Sequence, residues 1–119
     1  MSTTLRSIGM FRLMFWGCTV AILVLALLPP STHMPTTGWD KSNHMLAFGT
    51  LAVLGSRAWP GRMWVILLGL IGYGVLIEIL QGFTPYRDAD AIDVVADTIG
   101  ALIGFGLNAL MARMAARSA

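Results

Sequence analysis

Four apolar runs of about 17–21 residues each divide this 119-residue chain, with only short loops and tails between them. A helix needs about 20 mostly apolar residues to cross a hydrocarbon core of about 30 Å, so each run is long enough to span a bilayer. The balance of residue types agrees, with 56% hydrophobic and 12% charged, where a soluble domain carries about 25% charged. A soluble enzyme, a disordered tail protein and a DNA-binding module are thereby excluded, and no nucleic-acid partner is expected. The single cysteine, Cys18, lies inside the first run, which leaves no disulfide framework and no cysteine-based metal site. The chain reads as all-α: one domain, a polytopic membrane protein of four transmembrane helices in a compact bundle.

Prolines set the expected limits. The first span runs over about 8–28 and stops at Pro29-Pro30, which lack backbone donors and restrict the residues before them. The second covers about 40–59, broken by Pro60-Gly61, and the third about 62–83, closed by Pro85. The fourth begins between Tyr86 and Asp93, near 88, and runs to about 113. The first run is read as a span rather than a signal peptide, because no small-x-small cleavage site follows it and further spans do.

Short-loop arginines fix the expected orientation. With the N-terminus inside, the cytoplasmic side carries six (Arg6, Arg12, Arg57, Arg62, Arg113, Arg117) and the other side only Lys41 and Arg87. Both termini are therefore expected in the cytoplasm, and the arginines read as topology signals and contacts to anionic lipid rather than as a nucleic-acid patch. All six acids (Asp40, Glu78, Asp88, Asp90, Asp93, Asp97) and both histidines (His33, His44) fall at the outer ends. The chemistry is expected to face away from the cytoplasm.

In the fourth span, Asp90, Asp93, Asp97, Gly100 and Gly104 follow one another at intervals of 3, 4, 3 and 4 and share one helix face. Gly100-x-x-x-Gly104 admits a close helix neighbour, in this chain or in a second copy of it. In the third span Glu78 and Gln81 share a face, with Gly74 one turn below. A carboxylate such as Glu78, about 7 Å below the surface at 1.5 Å per residue, is unfavourable against lipid and should point into the bundle. The second span opens with Asp40, Lys41 and His44. Lys41, His44 and Arg87 thus form a basic trio beside the acids Glu78, Asp90, Asp93 and Asp97 at similar depth. Asp40, Asp88 and Asp90 also have a simpler reading as helix caps or first-turn dipole residues. Asp93 and Asp97 lie too far inside the expected span for capping, so a structural role for them would require buried pairing with Arg87 or Lys41. Trp16, Trp39, Trp59 and Trp64 read as interfacial anchors.

The combination Asp40-Lys41-x-x-His44, Glu78-x-x-Gln81, Arg87, Asp90, Asp93, a polar residue at 97, Gly100 and Gly104 resembles the VanZ-like family of small bacterial membrane proteins, over about residues 20–105. The resemblance implies a place in the bacterial cell envelope, and the family's namesake is associated with reduced susceptibility to teicoplanin-type glycopeptides. It does not imply a reaction. The family's usual residue at 97 is Asn, whereas this chain has Asp, which adds a carboxyl beside Asp93. Where two such groups lie close in a poorly solvated site, one of them holds a proton.

Three functions follow as expectations. In the first, Arg87 and Lys41 engage an anionic group, such as the phosphate of an envelope lipid or lipid-linked precursor, in a polar pocket open to the outer leaflet. There Glu78, Asp93 and Asp97 orient the cations or accept protons, and His44 switches charge near neutral pH. In the second, a divalent metal held by His44 and two of Glu78, Asp93 and Asp97 activates water against a lipid phosphate, the ligand set being more Mg- or Mn-like than Zn-like. In the third, the charges only fix helix register. The residue pattern itself identifies no cofactor.

Overall fold

The computed structural model describes residues 3–29, 40–86 and 89–118, and within them the fold is helical throughout. The helices are α1 (Thr3–Leu27), α2 (Asp40–Ala58), α3 (Met63–Gly82) and α4 (Ala91–Ser118). Three of them, α1, α3 and α4, are long and apolar enough to cross a membrane. The expected second span, α2, falls short of that apolarity because Asp40, Lys41, Asn43, His44 and Arg57 occupy its ends.

The packing accounts for this exception. Helix α2 lies at the centre, most extensively against α4 and then against α1 and α3. Between Lys41 and Trp59 only Leu46 and Thr50 are exposed. A helix enclosed by its neighbours can carry polar groups that a lipid-facing helix cannot. The peripheral helices instead turn large apolar side chains outward, among them Leu13 and Val20 of α1, Leu68 of α3 and Ile103 of α4.

The ends of α3 lie within one residue of expectation, since Arg62 precedes it and Phe83 follows. Gly61 makes the turn between α2 and α3 at φ +80°, a conformation that favours glycine. Helix α1 starts five residues earlier than its apolar run, and α4 continues to Ser118 rather than stopping near Arg113. Apolarity marks the lipid-embedded part of a helix, whereas Ala, Met, Leu and Arg outside that part still favour helix. At its other end α4 begins at Ala91, which places Asp93 in its first turn. The expectation that Asp93 lies too deep for a terminal position is thus corrected.

The core runs along α2, with Phe48, Leu51 and Ala52 packed on Ile77 and Leu70 of α3 and on Ala101 and Phe105 of α4. Helix α1 is tied on by polar groups of α3 and the turn after it. Tyr73 donates to the Thr19 carbonyl, Gln81 Nε2 to the Ala26 carbonyl at 2.9 Å and Tyr86 to the Leu27 carbonyl at 2.7 Å. The last two carbonyls belong to the final turn of α1, where no intrahelical donor remains. At the opposite end of the bundle Arg12 donates to the Ala58 carbonyl at 3.0 Å and lies over the Trp59 ring, while Arg57 bonds Asn108 at 3.1 Å. These two arginines, expected as topology signals, also fasten helices together.

Candidate functional site

The site depends on how closely α2 and α4 approach. A Cβ placed on Gly100 would lie 2.6 Å from the Met45 Cα, and one on Gly104 would lie 2.9 Å from both the Gly49 Cα and the Ala52 Cβ. Such distances leave no room for a side chain, so the two backbones touch along this seam. The glycine pair therefore serves α2 of the same chain. That face of α4 is buried and is closed to a second copy. The α2 half of the seam went unnoticed in the sequence, although the small residues Gly49 and Ala52, at helical spacing, were its available signal.

One turn beyond Gly100, the same seam presents side chains instead of backbone. Asp97 is fully buried, and its Oδ1 lies within hydrogen-bond distance of His44 Nδ1, at 2.7 Å. His44 Nε2 is turned toward Asp93 Oδ2, 3.5 Å away. A further turn out, Lys41 Nζ donates to Asp93 Oδ1 and to Asp90 Oδ2, the latter at 2.8 Å. Asp90 Oδ1 accepts the Ile92 N–H at 2.9 Å, which caps the start of α4. The Lys41 ammonium, followed by that N–H, holds the Asp90 carboxyl below the usual carboxylate range. Asp90 is thus both cap and ion-pair partner. Asp93 occupies a first-turn position favoured by the helix dipole, yet its carboxylate serves Lys41 and His44.

Helix α3 closes the third side. Glu78, 94% buried at 6% exposure, accepts the Asp90 N–H on Oε2 at 2.8 Å. Its second oxygen, Oε1, is buried and has no hydrogen-bond partner among the described residues. One ligating atom from each of His44, Glu78 and Asp93 lies within 4.8 Å of the others. Gln81 stands apart from this cluster. Although it shares a helix face with Glu78, its amide is spent on the end of α1. Asp40 opens α2, but its side chain lies outside the described residues, as do Arg87, Asp88 and His33. The structure therefore brings together Lys41, His44, Glu78, Asp90, Asp93 and Asp97. Among the described side chains these are four carboxylates, one ammonium and one imidazole at a single end of the bundle.

Helical spacing alone places Gly74 one turn below Glu78. The structure gives it a part in the site. A Cβ there would lie 2.7 Å from Asp97 Oδ2 and 3.5 Å from Asp97 Cγ, so the absence of a side chain makes room for the buried carboxylate. Gly74→Ala is expected to push Asp97 off His44 and to cost about 1–3 kcal/mol by overpacking. Ring nitrogen chemical shifts of His44 would report the broken pair while every polar residue of the cluster is still present.

A cavity of about 490 Å³ lies at the other end, between α1 and α3, lined by Arg12, Trp16, Trp59, Arg62 and Tyr73 among others. No carboxylate lines it. The polar cluster and this groove are therefore separate features.

Fold and site together define a small multi-pass α-helical membrane protein with a carboxylate-rich cluster buried among three helices at one end. The profile of the VanZ/LLP1 family matches residues 4–112, and the chain belongs to that family. The family is known in the context of teicoplanin resistance. No curated protein and no solved structure matches the chain.

Proposed function

We propose that the protein resides in the bacterial cytoplasmic membrane as a four-span bundle with both termini inside, and that its polar cluster meets a phosphate-bearing envelope lipid or lipid-linked precursor at the outer leaflet. The arginine distribution supports this orientation: Arg6, Arg12, Arg57, Arg62, Arg113 and Arg117 all belong to the end opposite the carboxylates. Enclosure of α2 by its neighbours supports its crossing as the fourth span despite its polar ends. A role in glycopeptide susceptibility follows from the family and from a site on the face where such antibiotics act.

The observation that carries the proposal is the convergence of Lys41, His44, Glu78, Asp93 and Asp97 from three helices into one buried cluster. Ionisable groups are costly inside a bilayer, and where they persist they mark functional sites by default. The described contacts redistribute the roles within it. Lys41 is committed to Asp90 and Asp93. Contact with phosphate therefore falls to Arg87, whose planar fork suits two parallel hydrogen bonds. The Lys41 pairs also fix the register of α2 on α4, so part of the cluster is structural.

Native mass spectrometry of the protein drawn gently from its own membrane, wild type beside Arg87→Ala, tests the reading. A retained phospholipid or lipid-linked precursor is expected on the wild type and absent from the folded variant. Cells carrying Arg87→Ala are expected to lose any teicoplanin phenotype of the wild type. A wild type free of lipid, or lipid held equally by both proteins, would remove the basis for phosphate recognition through Arg87.

A further inference from the structure

We infer that His44, Glu78 and Asp93 bind one divalent cation, with Mn²⁺ the best-matched ion, and that Asp97, Lys41 and Asp90 hold these ligands in place. The site deepens the proposed function because it lies in the same cluster. It is tested without lipid, so that the two can fail separately.

The first observation is the grouping itself: a ring nitrogen and two carboxylate oxygens, one per helix, all within 4.8 Å. Acids often cluster without binding anything, so the second observation matters more. Glu78 is buried, and its Oε1 has no hydrogen-bond partner among the described residues. An unmet buried acceptor costs about 1–3 kcal/mol, and more when charged. A cation between Glu78, His44 and Asp93 removes that cost.

The surrounding contacts have the pattern of an outer shell. A metal-binding imidazole commonly donates its other N–H to a carboxylate, which sets the tautomer and aims the lone pair. Asp97 stands in that relation to His44 at 2.7 Å, and His44 Nε2 faces Asp93. The second oxygens of the other two ligands are similarly occupied. Asp93 Oδ1 takes the Lys41 ammonium, and Glu78 Oε2 takes the Asp90 N–H. Each ligand is thus fixed through one atom, which leaves a second nitrogen or oxygen available to a cation.

Charge points the same way. Among the described side chains one ammonium stands against four carboxyls, and with one of Asp93 and Asp97 protonated two negative charges are left for a divalent cation. Ligands about 2.1 Å from a small divalent ion lie at most about 4.2 Å apart, so the group need draw in by no more than about half an ångström. Two carboxylates and one imidazole suit Mn²⁺, since oxygen donors favour Mg²⁺ and Mn²⁺ and imidazole favours later metals. Asp97 makes the outer shell of this chain more basic than an amide would.

The test uses the full chain in detergent micelles, stripped with a chelator and titrated with Mn²⁺ alone while the spectrum of free Mn²⁺ is followed by electron paramagnetic resonance. One Mn²⁺ per chain is expected, with electron spin-echo modulation from an imidazole nitrogen that survives His33→Ala. Asp97→Asn is expected to weaken binding about 10-fold, the low end of the loss for an outer-shell partner. Glu78→Gln and His44→Ala are expected to weaken it further. No saturable binding to folded wild type would overturn the site, as would a stoichiometric site without imidazole coupling. The wild-type measurements decide the matter even where a variant fails to fold. Saturable Mn²⁺ binding by a protein that retains no lipid in the native mass spectrum would refute the phosphate reading alone, and retained lipid with no saturable Mn²⁺ site would refute only the cation.

Discussion

Gly100→Ala and Gly104→Ala are expected to be the most damaging single-methyl changes in the protein, each sharply lowering both the yield of folded protein and its melting temperature in detergent. The added Cβ would meet the backbone of α2 at Met45 or Gly49, which cannot rotate aside as a side chain can. Relief requires the helices to separate. Overpacking costs about 1–3 kcal/mol in ordinary cores and more where backbone must move. The separation also draws Asp93 and Asp97 away from Lys41 and His44, because the same seam positions both sets. The control is Gly69→Ala or Gly106→Ala, where a Cβ meets nothing within 4 Å. Those changes are expected to be neutral or to stabilise by up to about 1 kcal/mol through helix propensity. Equal tolerance at Gly100 and Gly69 in melting experiments would show that the backbones do not touch.

Lys41→Met is expected to leave little folded protein at neutral pH and to recover some of it in mild acid. Lys41 is the ammonium shared by Asp90 and Asp93, with Glu78 and Asp97 also in the cluster. Without it the carboxylates repel one another, and protonation relieves the repulsion. The wild type should respond in the opposite sense. Its Asp90 carboxyl is held below the ordinary range, chiefly by Lys41. The stabilisation from this group is therefore complete above the unfolded-state carboxylate pKa and is lost as pH falls through the folded value. Melting temperatures from about pH 5 down to about pH 2 should fall for wild type and rise for Lys41→Met. Parallel curves would mean that Lys41 does not neutralise the cluster.

The sequence pattern makes most of this arrangement legible, for reasons that can be traced residue by residue. Asp90, Asp93, Asp97, Gly100 and Gly104 lie on one stripe by helical periodicity alone, and the structure places the whole stripe on α2. Glu78 is too deep to face lipid, and its inward position follows from the cost of doing so. Gln81 shows where periodicity stops. A shared face with Glu78 does not reveal that α1 ends beside it with a carbonyl lacking a donor. Gly74 escaped for a related reason, because its value lies in the volume of Asp97 on another helix. Apolarity does not mark the helix ends at Thr3 and Ser118, because both helices continue beyond their apolar runs. The partner of the glycine face was likewise a question of tertiary packing, and the answer is Met45 and Gly49 of the same chain.

The modest apolarity of α2 has a consequence for how the protein is made. On the four-span reading, the insertion machinery meets α1, α3 and α4 as segments able to enter lipid unaided, whereas α2 arrives with its charges and no apolar margin. Lys41 has no carboxylate at the start of α4 to meet until that helix, the fourth of the four, has been synthesised. Biogenesis thus cannot proceed as four independent insertions followed by docking. The second helix must wait at the membrane surface or in the insertion channel until its partner emerges from the ribosome, and a chain truncated before α4 should be recognised by quality control as unassembled.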